Sequence, residues 1–122
     1  MRIMMRADWI NYGLAKPGTM EDFPFGPEPS VLKVCGRMFA LLSGEGDSLS
    51  LSVKCDPFLA ELLREQYDAV TPGYHMNKRH WNTVRMDGSV PDDEVRDMID
   101  QSYALVVKKL TKAEQAALAE VN

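Results

Sequence analysis

Between Gly44 and Pro57 the chain alternates more strictly than anywhere else, with Leu49, Leu51, Val53 and Cys55 in one set of positions and Ser48, Ser50, Ser52 and Lys54 in the other. Side chains on a β-strand point to opposite faces in turn, so this stretch predicts a strand with one apolar and one hydroxyl-bearing face. A slip of one residue would turn the whole apolar set to solvent, which fixes the register. Gly44-Glu-Gly-Asp47 supplies a turn before the strand, and Asp56-Pro57 starts a helix directly after it, with Asp as N-cap and Pro in the first helical position. The polar face must be solvated or engaged with a partner, because buried hydroxyls and an unpaired lysine are costly.

The neighbouring segments extend this plan. Val31 to Cys35 and Met38 to Ser43 read as a hairpin around a Gly36-Arg37 turn. After Asp56, Leu59, Leu62 and Leu63 form the apolar stripe of a helix that runs to Tyr67 and crosses the sheet. Pro72-Gly73 marks a turn, His80 to Met86 a further strand, and Asp87-Gly88 its end. Pro91 opens a longer helix with Asp92, Asp93 and Glu94 in its first turn and Lys108 and Lys109 in its last, matching the helix dipole. Its buried face is expected to be Val95, Met98, Ile99, Tyr103, Val106 and Leu110. Thr111 and Glu114 have capping-box spacing for a short final helix. At the start, Met5, Trp9 and Tyr12 predict a helix over residues 3 to 15, stopped by Lys16-Pro17-Gly18. Residues 18 to 30 show no periodicity and read as a loop pinned to the core by Phe23 and Phe25.

Strands joined by tight hairpins and followed by helices give an α+β class, an antiparallel β-sheet with helices packed on one face. No glycine-rich loop follows a strand, which argues against a dinucleotide fold. The 122 residues suit a single domain, 1–122. No apolar run is long enough to span a bilayer, and Arg6 and Asp8 interrupt any leader-like segment, so a cytoplasmic protein without membrane contact, and a monomer, is expected. Cys35 and Cys55 lack CxxC spacing and read as reduced, buried thiols on core-facing strand positions.

The chemically richest stretch is Thr71 to Met86, which holds both histidines, one of two tryptophans and the Lys78-Arg79 pair. No aspartate or glutamate occurs between Asp68 and Asp87. The formal net charge of −4 opposes nonspecific binding of a polyanion, so any such binding must come from a local patch of this kind. If His80 to Met86 is a strand, His80, Asn82, Val84 and Met86 share one side and Trp81, Thr83 and Arg85 the other, with Trp81 and Arg85 on the open sheet face beside Lys54. Such a face would stack bases on Trp81 while Lys78, Arg79 and Arg85 meet phosphates. The competing reading packs Trp81 under the 72–77 loop, leaves Lys78-Arg79 as a solvated turn, and has Asn77, Asn82 and Tyr74 tie down loop backbone.

His75, His80 and Cys55 make a poor zinc set, because a closed site needs four ligands and no CxxC is present, and no metal or cofactor is expected. A Cys35 or Cys55 nucleophile with His75 or His80 as base lacks any orienting group, so no catalytic role is assigned.

Leu14-Ala-Lys-Pro-Gly18, Asp22-Phe-Pro-Phe-Gly-Pro27, Lys54-Cys-Asp-Pro57, the run Thr71-Pro-Gly-Tyr-His-Met-Asn-Lys-Arg-His-Trp-Asn82, and Ser102-Tyr103 followed by Leu105-Val-Val107 together resemble the MmcQ/YjbR family over nearly the whole chain. The resemblance implies a two-layer α+β fold similar to that of CyaY, the bacterial frataxin, and a DNA-binding protein described as a double wing. Gly13 stands where a larger residue is expected and would loosen the first helix. The frataxin-like fold also raises iron, but an acidic ridge is missing: the first helix offers only Asp8. The expected function is therefore non-enzymatic DNA binding through Lys54, Lys78, Arg79, His80, Trp81 and Arg85. The alternative is a protein-interaction module that docks a partner on the same face with Trp81 as anchor.

Overall fold

A computed structural model of the chain describes residues 3–73 and 76–120. The elements run α1 (Arg6–Leu14), β1 (Thr19–Asp22), β2 (Ser30–Val34), β3 (Arg37–Ser43), β4 (Ser50–Lys54), α2 (Pro57–Gln66), β5 (Val70–Pro72), β6 (Trp81–Arg85), α3 (Asp92–Lys108) and α4 (Lys112–Ala119). The strands form one antiparallel sheet in the order β1-β2-β3-β4-β6-β5. This is the expected α+β arrangement. The alternating strand behaves as its sequence requires: Leu51 and Val53 enter the core together with Val84 of β6, Ile99 of α3 and Trp9 of α1, all almost wholly buried. No helix among the described residues is long and apolar enough to cross a membrane.

Helix starts follow the predicted chemistry. The Asp56 carboxylate accepts from the Phe58 and Leu59 amides, and Thr111 and Glu114 close a reciprocal capping box. On α2, however, Ala60 and Leu63 face inward while Leu62 is exposed. Helix α1 begins at Arg6, one turn later than expected, and leaves Met5 exposed. Its Gly13 does not loosen it. A Cβ there would stand 2.4 Å from Leu32 Cδ1, so glycine lets α1 lie directly on β2.

Two strand assignments need correction. Residues 19–22 are not loop but the edge strand β1, whose Thr-Met-Glu-Asp sequence has no apolar face; backbone pairing with β2 and the Lys33–Asp22 ion pair hold it. Phe23 and Phe25 do not pin the following loop, being 49% and 62% exposed. Arg6 does so instead: its guanidinium donates to both Glu28 oxygens at 2.6 and 2.7 Å and to Ser30 Oγ at 2.7 Å. The β2–β3 turn is Cys35-Gly36, not Gly36-Arg37, since Val34 pairs with Arg37 and both turn residues have positive φ, 49° and 77°. Positive φ at both central residues matches the right-handed twist of a hairpin. Cys35 is consequently exposed, while Cys55 is buried and its thiol is pushed up by that burial.

Helix α3 is tied to α1 by Asp100, whose carboxylate accepts from Tyr12 Oη at 2.7 Å and Lys16 Nζ at 2.5 Å. Burial, then the hydrogen bond to Asp100, pushes the Tyr12 phenol up to about 12 from its ordinary 10. Because the folded value lies above the unfolded one, the stability this phenol contributes is complete below about pH 10 and is lost as pH rises through about 12. A spectrophotometric tyrosine titration should show a late-ionising component that loses the Tyr12 share of its amplitude in Tyr12→Phe, the half-buried Tyr103 phenol also being raised.

Candidate functional site

The face of the sheet away from the helices carries one continuous row across its strands. In register these residues are Asp22, Val31, Leu41, Ser52, Thr83 and Thr71. Ser52 Oγ and Thr83 Oγ1 lie 2.8 Å apart and satisfy each other, which explains how a hydroxyl on this face is buried at low cost. Leu41, Ser52 and Thr83 of this row, with Ser43 and Ser50 beside them, form the floor of a cleft of about 530 Å³, walled by Phe25 and Pro29 on one side and by Met76 on the other. Phe25 and Pro29 of the β1–β2 connection and Met76 of the β5–β6 connection thus stand on two flanks of this face. Val31 and Trp81 are buried yet stand outside the main core, one at each side of this face.

Trp81 departs from expectation. The alternation along β6 is as predicted, since Trp81 pairs with Lys54 while Asn82 turns to α2 and Val84 enters the core. But Trp81 is only 8% exposed. Gly73 backs onto it so closely that a Cβ there would stand 2.6 Å from Trp81 Cβ and 3.1 Å from Met76 Cβ. Base stacking on Trp81 and its use as a protein-docking anchor both fail on this burial. Gly73→Ala would force the connection off Trp81, with an expected loss of about 1–3 kcal/mol as for other overpacked sites. A urea transition combined with increased quenching of tryptophan fluorescence would report it.

Arg64 of α2 holds the loop that leads into β6. Its Nε donates to Asn82 Oδ1 at 2.8 Å and its Nη2 to the carbonyls of Lys78 and Trp81. Asn77 Oδ1 accepts from the Arg79 and His80 amides at 3.0 and 3.3 Å, an Asx-type turn. These bonds fix Lys78 and Arg79 outward, where both are exposed, while His80 is half-buried. Lys78 Nζ donates to the Gly73 carbonyl at 3.2 Å, leaving further donors of its ammonium for a ligand.

Antiparallel order brings the start of β3, the end of β4 and the start of β6 to one end of the sheet. Arg37, Lys54, Lys78 and Arg79 therefore share that end. The Lys54 ammonium is pushed down by burial and then by the positive charges of Lys109 and Arg37, which places the C-terminus of α3 at the same end. None of these five cations is in an ion pair among the described residues. By contrast, Arg6, Lys16, Lys33, Arg85 and Arg96 each hold a carboxylate. Glu114 feels Arg37, but its carboxylate accepts the Thr111 amide in the capping box. Arg85 lies at the opposite end of β6, its Nε 2.7 Å from Asp87 Oδ2. The bonds from Ser89 and Arg85 hold that carboxylate far below its ordinary range. The six expected residues are thus divided: Lys54, Lys78, Arg79 and His80 meet, Trp81 is beneath them, and Arg85 is remote and paired.

Arg37 and Lys109 escaped the sequence reading because only strand order shows that their segments meet the acid-free ribbon. No group of three or more metal-ligating side chains occurs among the described residues. Tyr74 and His75 lie outside the described residues, so the loop-tying role of the one and the zinc and general-base roles of the other are not placed.

The YjbR family profile matches residues 14–105. Uncharacterized protein YjbR of Escherichia coli K12 is 34% identical over 118 residues, covering 97% of this chain and all of that protein. Uncharacterized protein YbdF of Escherichia coli O157:H7 is 39% identical over 93 residues, covering 76% of each. Among solved structures, protein DR2400 of Deinococcus radiodurans, a DUF419 domain, superposes with a TM-score of 0.86 at 41% identity, covering 93% of this chain and 86% of that one. A protein from Pseudomonas syringae superposes with a TM-score of 0.73 at 29% identity, covering 84% of this chain and 98% of that one.

Proposed function

The chain belongs to the YjbR family, and we propose that this member is a binding protein, not an enzyme, that takes nucleic acid on the cationic end of its sheet. The observation that supports this reading is the gathering of Arg37, Lys54, Lys78, Arg79 and Lys109 from separate segments with no ion pair among the described residues. Clustered like charges repel; the Lys54 ammonium is lowered by burial first and then by Lys109 and Arg37. A polyanion relieves that repulsion and releases counterions as it binds. The rest of this acidic chain repels phosphate, so the backbone of the nucleic acid is confined to that end.

Fluorescence anisotropy with labelled single-stranded and duplex DNA at low salt tests the proposal. Binding should weaken linearly on a logarithmic salt scale, with a slope that reflects a few phosphate contacts. Absence of binding to either form at low salt would refute it.

A further inference from the structure

We infer that the cleft on the open sheet face is a pocket for an unstacked nucleobase, so that the protein prefers single-stranded nucleic acid to duplex. This rests on the cationic-end reading above and adds to it the form of the ligand. Among the described residues, the eight side chains that line the cleft carry no charge. A neutral cleft beside unpaired cations has the charge pattern of a nucleotide, whose base is neutral and whose phosphate is anionic.

The two parts are joined at both flanks. Lys54 lies two residues beyond Ser52 on the same strand and face, a spacing of roughly 7 Å along an extended chain. On the other side, Met76 lines the cleft and is followed at once by the loop that carries Lys78 and Arg79. A nucleotide with its phosphate at Lys54 or Lys78 therefore has its base over Ser52 and Thr83. Phe25, 62% exposed at the opposite wall, offers a ring face for stacking, which tolerates any base. The Ser43 and Ser50 hydroxyls on the floor, each both donor and acceptor, meet base edges with equally little selectivity. In a duplex the bases are paired and stacked, and only their edges face the grooves, so a base reaches a recessed cleft only after it leaves the stack.

The full chain is titrated by anisotropy with fluorescein-labelled oligothymidylate and with a duplex of equal length carrying the same label. The single strand should bind at least about tenfold more tightly, from one stacked base. Phe25→Ala should lower single-strand affinity by roughly tenfold while leaving duplex affinity unchanged, and Phe25→Trp should restore it. The exposed ring makes these variants safe for folding, which circular dichroism verifies. Lys78→Ala/Arg79→Ala should weaken both forms alike. Equal affinity for the two forms together with no effect of Phe25→Ala would overturn the base pocket and leave the cationic-end reading standing. Absence of binding to both forms would overturn both.

Discussion

Ser102→Ala is expected to destabilise the protein by about 2–4 kcal/mol, because a buried and a part-buried backbone group lose their partner at once and each orphan costs about 1–3 kcal/mol. The β3–β4 ladder stops at Ala40 and Val53. The register shift between Leu32 and Lys33 leaves Phe39 without a partner on β2, with its ring turned edge-on to Tyr103. Ser102, wholly buried on α3, bridges the gap: its Oγ accepts from the Lys54 amide at 2.8 Å and donates to the Phe39 carbonyl at 2.5 Å. One hydroxyl thus splices a helix into a sheet. In urea denaturation the midpoint should fall with an unchanged slope. A loss below about 0.5 kcal/mol would show that the neighbouring backbone repairs the gap by itself, since leaving even one buried partner unmade costs more. The same residue fixes the end of β4, so the variant should also loosen the position of Lys54.

Lys78→Ala/Arg79→Ala carries the largest expected effect on binding. Both side chains are exposed, and neither is in an ion pair among the described residues, so their removal leaves no buried charge behind. If each meets one phosphate, affinity at about 0.1 M salt should fall roughly 10- to 100-fold and the logarithmic salt slope should shrink by about 1.5–2. Arg85→Ala is the matched control. That guanidinium is also exposed and cationic, but it sits at the far end of β6 against Asp87, and its loss should change affinity little. An equal effect of both changes would mean that overall charge, not place, governs binding.

The parts of this fold that were legible in the sequence are those where one segment determines its own state. Alternation from Leu49 to Cys55, the Asp56-Pro57 start, the Thr111–Glu114 box and the apolar face of α3 are local signals, and each appears where the residues put it. Strand β1 was hidden because an edge strand needs only backbone pairing, and Thr19–Asp22 bears no pattern of its own. The hairpin turn was displaced by one residue because Cys35 takes the left-handed conformation that its side chain disfavours. Trp81 shows the limit most clearly: period-two alternation gives its face but not what lies over that face. Gly73, eight positions earlier, decides its burial. Likewise, Arg37 and Lys109 join Lys54 only through strand order and the splice at Ser102, which no single stretch encodes.

The proposed function requires nucleic acid to touch this chain at the cationic end of its sheet. A titration of the isotope-labelled protein with short oligothymidylate, followed by amide chemical shifts, reads that position directly. The prediction is a contiguous set of shifts at Arg37, Ser50 to Lys54, Met76 to His80, Thr83 and Lys109, with Asp87 and the exposed face of α1 unmoved. Saturating additions that leave those amides still, or that shift the Arg85–Asp87 end instead, would contradict it.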